Sequence, residues 1–74
     1  AERSDVQQVT VPANALGAAD IEKRVSAMGI TVTESEIDGL LAEVEGIDAE
    51  GREVDLVLDR RSGDVLSHKV ERKR

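Results

Sequence analysis

The chain predicts an α+β fold, one α-helix packed on an antiparallel four-stranded β-meander. Three observations carry this. Ile21, Val25 and Met28 stand at i, i+4 and i+7, a single helical stripe in the first half. Four stretches of strand character follow it, each alternating or rich in β-branched residues. Glycine-bearing turns separate the strands, at Asp38-Gly39, Ala49-Glu50-Gly51 and Arg60-Arg61-Ser62-Gly63.

The elements follow in order. Residues 1–8 are polar without helical periodicity, so an N-terminal arm is expected over 1–10. Val9, Val11 and Pro12 form an extended lead-in, because Pro12 disfavours the helical region at Val11. A helix is expected over about 18–28. Asp20 and Glu22 sit in its early turns and Lys23 and Arg24 later, which suits the macrodipole. Gly29 fits the left-handed residue just past its end, while Gly17 offers no capping side chain at its start.

Ile30 to Ile37 reads as the first strand and Leu40 to Asp48 as the second. Ala49-Glu50-Gly51 fits a type I turn with a glycine bulge, pairing Asp48 with Arg52. Val44 then faces Leu56, Ala42 faces Leu58 and Gly46 faces Val54, all on one side of the sheet. The third strand, Glu53 to Asp59, alternates Val54, Leu56 and Leu58 with acids, and Val57 is its apolar exception. The last hairpin leaves two phases open. A four-residue loop over 60–63 pairs Asp59 with Asp64 and turns Val65 inward, whereas side-chain content favours Leu66 and Val70 inside. Leu41, Ile47 and Val57 fall on the second face, joined by Leu66 in the first of those phases.

Composition narrows the function. A chain of 74 residues makes one small domain, and even about 60 residues bury only roughly 60% of their unfolded surface. There is no Phe, Trp or Tyr, so no aromatic platform exists for stacking on bases or sugars. There is no Cys, which excludes disulfides and thiolate metal sites. No apolar run approaches the roughly 18 residues of a membrane-span candidate. The net charge is −6, and Glu34 to Asp59 holds ten acids against one base, Arg52. An acidic body argues against nucleic acid as a partner. Arg60 to Arg74 holds six bases and two acids, so a basic tail is expected over 71–74 beyond a single domain over 11–70.

No catalytic residue is expected. His68 is the one histidine, on a strand, where its ordinary role is structural or solvent-facing. Ser67 adjoins it, but adjacent strand residues point to opposite faces. Ser4, Ser26, Ser35 and Ser62 have no nucleophile-elbow setting. No metal or cofactor site is expected, since nothing matches an EF-hand loop. The feature that stands out is a candidate partner surface on the central hairpin: Glu43, Glu45, Glu53 and Asp55. Glu45 lies opposite Asp55, a like-charge pair that costs up to about 1 kcal/mol. Its ordinary reading is a solvated face, and its sharper reading is a dock for a basic partner.

The runs Val11-Pro12-Ala13, Ala27-Met28-Gly29, Glu43-Val44-Glu45, Asp48-Ala49-Glu50-Gly51 and Asp59 to Leu66 resemble the PepSY domain over about residues 11–70. Ala42 departs from the pattern where an aromatic is usual, and Arg60 where Pro is frequent. The resemblance implies a non-enzymatic, extracytoplasmic module, periplasmic or secreted, acting on a peptidase or an envelope protein. Such a location implies removal of a signal peptide. The chain starts at Ala1 rather than Met, as expected of a mature form or an excised domain. The alternative expectation is a structural or sensory domain acting by homodimerisation, through the second face or an unpaired edge strand.

Overall fold

The computed structural model describes residues 12–71. The expected arm over 1–10 and Arg72 to Arg74 of the expected tail lie outside the described residues. The chain forms α1 (Ala18–Ser26), β1 (Thr31–Asp38), β2 (Leu41–Ile47), β3 (Glu53–Asp59) and β4 (Val65–Glu71). The four strands make one antiparallel sheet in the order β1-β2-β3-β4, as the meander predicts.

Helix α1 starts at Gly17 with no side-chain cap, and Asp20 stands in its first turn. It ends two residues short of the expected span. After Ser26 the chain tightens, with Met28 N–H donating to the Val25 carbonyl and Gly29 N–H to that of Ser26. This rotation takes Met28 off the stripe and leaves it 46% exposed. Ile30, just before β1, takes the vacated place in the core. Gly29 adopts φ +87°, the left-handed conformation expected past the helix end.

The core is aliphatic. Ile21 and Val25 of α1 meet Ile30, Ala42, Val44, Val54, Leu56 and Leu58, with Leu16 and Val32 at the margin. No polar or charged residue is buried among the described residues. The helix packs on β1 and β2. Ala42, which stands where the resembled pattern has an aromatic, is fully buried between Ile37 and Leu58 on the neighbouring strands. Gly46 permits the closest approach: a Cβ there would fall 2.5 Å from the Thr31 carbonyl oxygen.

The β2–β3 register is the expected one, Leu41 opposite Asp59 through Ile47 opposite Glu53. Its turn is built by Asp48. Asp48 N–H donates to the Arg52 carbonyl, and the Asp48 carboxylate accepts from the N–H groups of Glu50 and Arg52. Gly51 supplies φ +82°. The β1–β2 turn centres one residue later than expected, on Gly39-Leu40. Gly39 has φ +61° and Leu40 a negative φ, the signature of a type II′ turn. Leu40 is thus a turn residue, and β2 begins at Leu41. A bulge at Thr33 interrupts β1, where the Thr33 hydroxyl donates to the Glu45 carbonyl.

The last hairpin realises parts of both phases. Asp59 N–H donates to the Asp64 carbonyl and Val65 pairs with Leu58, as the four-residue loop requires. A bulge at Leu66 then resets the alternation, so Val70 pairs with Val54 on the same side as Val65. Leu66 occupies the bulge and is 57% exposed.

Arg60 ties three segments together. Its N–H donates to the Leu40 carbonyl, its carbonyl accepts from Leu16 N–H, and its guanidinium donates to the carbonyls of Leu16 and Gly39. A proline at this position, frequent in the resembled pattern, has neither the N–H nor the fork. Arg60 therefore locks the helix lead-in to two turns at one end of the sheet.

Candidate functional site

Helix α1 covers one side of the sheet and leaves the other side open. The open face is set by the odd-numbered residues of β2 and β3. Glu43 and Glu45 on β2, with Glu53 and Asp55 on β3, all lie on it, as the sequence places them. The sheet brings further acids beside them. One cross-strand row runs Glu34, Glu45, Asp55, Lys69 over all four strands. The row above runs Glu36, Glu43, Val57, Ser67, and the row below Thr31, Ile47, Glu53, Glu71. Leu41, Ile47 and Val57 share this face, so apolar side chains are interspersed among the carboxylates.

Glu34, Glu36, Glu71 and Lys69 are the members that sequence reasoning missed. Their placement depends on the β1–β2 register and on the bulge in β4, neither of which the alternation within the central hairpin sets. A two-residue turn after Asp38, extended strand by strand, was the available signal for Glu34 and Glu36.

Glu45 sits at the electrostatic centre. Glu34 opposite it, then Asp55, then some loss of hydration, and finally Glu53 and Glu71 push its carboxyl above the usual carboxylate range. The one basic residue on β3 or β4 of this face is Lys69, opposite Asp55. Arg52 is committed elsewhere: its Nε donates to Asp48 Oδ2 at 2.8 Å, and its Nη2 lies 3.2 Å from Glu50 Oε1. Backbone hydrogen bonds from Arg52 and Glu50 and the Arg52 side chain hold the Asp48 carboxyl below its usual range. The Arg61 side chain and N–H do the same for Asp59. These two carboxylates are consumed by turns, whereas the four on the central hairpin make no side-chain hydrogen bond or ion pair among the described residues.

The other polar groups do not assemble a reactive centre. His68 is exposed on the helix side opposite Leu56, and Ser67 faces the opposite side. Ser35 donates to Glu22 at 2.7 Å, fastening β1 to α1. Among the described residues, no group of three or more His, Asp or Glu converges to hold a metal ion. No helix among them is long and apolar enough to cross a membrane. A shallow, open hollow beside α1 is lined by Leu16, Asp20, Lys23, Arg24 and Ala27 and holds no paired acid–base groups.

A family model described as peptidase propeptide and YPEB domain matches residues 5–69. Neither the curated proteins nor the solved structures gave a match. Domains of this family are propeptide-like or inhibitor-like, generally non-catalytic, and typically extracellular or exported. The family match spans the helix, three whole strands and most of β4, and the chain belongs to the PepSY family of peptidase propeptide and YPEB domains.

Proposed function

We propose that this chain is a non-catalytic binding module that inhibits or regulates a peptidase, or acts on an envelope protein, in the periplasm or after secretion. Its dock is the open sheet face around Glu43, Glu45, Glu53 and Asp55. The observation that supports this is the row Glu34, Glu45, Asp55, in which like charges are held side by side at a cost to folding. A basic partner surface relieves that repulsion on binding, and interspersed Leu41, Val57 and Ile47 supply apolar contact. A sheet face already formed before binding presents this pattern with little ordering cost.

The test uses secreted metallopeptidases as probes, with binding and peptide hydrolysis read together at low and raised salt. Attraction between charged surfaces steers association, so salt slows the on-rate first. The Glu43→Lys plus Glu45→Lys variant keeps the fold, because Glu36 lies opposite Glu43, and Glu34 and Asp55 flank Glu45. Asp55 is left in place because Lys69 lies opposite it. Binding that weakens with salt and with this variant supports the dock. Affinity unchanged in both places the partner elsewhere on the domain.

A further inference from the structure

We propose that β4 is a self-association edge. Two copies pair antiparallel about Val70, so that Lys69 of each lies opposite Glu71 of the other and the two sheets join into one.

Both outer strands, β1 and β4, present a free edge within the described fold, and they are protected unequally. β1 carries a bulge at Thr33 within the strand and Glu34, Glu36 and Asp38 on its open-face side. Bulges and edge charges oppose further pairing, and a second β1 brings the same acids. In β4 the bulge lies at Leu66, next to the turn, and pairing from Ser67 to Glu71 is regular. The helix packs on β1 and β2, so the helix side of β4 is left uncovered. Val70 there is 45% exposed.

Charge selects the partner and the register. The open face is acidic across β1 to β3 and changes at β4, where Lys69 and Glu71 alternate with the inward Val70. Residues directly opposite in an antiparallel pair share a face. A two-fold axis at Lys69 sets lysine against lysine. An axis at Val70 sets Lys69 against the partner subunit's Glu71, twice by symmetry, and buries Val70 against its own copy. The edge is thus complementary to itself in one register. The contact is a single strand pair, far below the roughly 1,200 Å² of stable interfaces, so the dimer is weak and concentration-dependent. The pairing leaves the acidic face of each copy open and does not depend on the peptidase reading.

Sedimentation velocity of the full chain from about 10 µM to about 1 mM, a span that covers weak association, tests this. The expected result is a reversible shift from monomer toward dimer. Lys69→Glu turns both cross-copy attractions into repulsions and should weaken the dimer at least about tenfold. The charge swap Lys69→Glu plus Glu71→Lys should restore it, because the pair is regenerated with its signs exchanged. Circular dichroism checks that each variant folds. A wild type that stays monomeric throughout overturns the proposal. So does a dimer indifferent to Lys69→Glu, or one the swap fails to restore. An open series of larger species would mean that β4 pairs with β1 of the next copy, which also overturns it.

Discussion

Truncating Leu56 should cost far more than truncating Leu41, although both are strand leucines of the central hairpin. Leu56 is 1% exposed, inside the cluster of Ile21, Val25 and Val44. Leu41 lies on the open face at 39% exposure. Leu→Ala removes three carbons, and at about 0.8 kcal/mol per buried carbon the transfer loss at Leu56 is about 2.4 kcal/mol. The cavity adds to this, and buried Leu→Ala losses reach about 5 kcal/mol. At Leu41 about three-fifths of the transfer loss applies, about 1.5 kcal/mol, and on an open face the gap fills with water. At about 0.05–0.15 kcal/mol per residue, a chain of 74 residues has roughly 4–11 kcal/mol in total. Leu56→Ala should therefore lower the urea midpoint by at least about a fifth, and by more than half if the total lies near the low end of that range. Leu41→Ala should keep a clear folded baseline. Circular dichroism is the probe, since the chain has no aromatic residue to report by fluorescence. Equal losses would refute the assignment of faces and mean that a partner or second copy buries the open side.

Three further outcomes follow from particular contacts. Arg60→Ala should cost about 1–2 kcal/mol and speed amide exchange at Leu16 and in the 39–40 turn, and Arg60→Lys should not rescue it, because the fork spans two carbonyls. Gly46→Ala should cost about 1–3 kcal/mol in the same urea assay, since its Cβ would meet the Thr31 carbonyl and Ile30 Cγ2 at 2.5 and 2.6 Å. A neutral Gly46→Ala would mean that the start of β1 yields. The pH dependence has two opposed parts. Glu45 has a raised folded pKa, so its repulsion weakens stability above that value and fades as pH falls through it. Asp48 and Asp59 have lowered folded pKa values, so their stabilisation is present above the ordinary Asp range and is lost as pH falls through those values. Stability should rise slightly on mild acidification and then fall, and Glu45→Gln should remove the rise. A monotonic profile in wild type would contradict this.

The meander and its central hairpin are legible in local patterns of the chain. Turn chemistry is local: Asp48 and Gly51 close their loop with contacts no more than four residues apart. Period-two alternation then fixes which of Val54, Leu56 and Leu58 point inward. That is why Glu43, Glu45, Glu53 and Asp55 could be placed together from sequence. The fate of Met28 was decided elsewhere, because one tight turn after Ser26 let Ile30 fill its place. The phase of β4 was likewise undetermined, since one extra residue at Leu66 satisfied both the loop and the core. The full extent of the acidic face needed the β1–β2 register, and the anchoring role of Arg60 needed Leu16, 44 residues away. Alternation and turn residues constrain near neighbours. Bulges, helix placement and long-range side-chain ties answer to the packing of the whole domain, which no local pattern specifies.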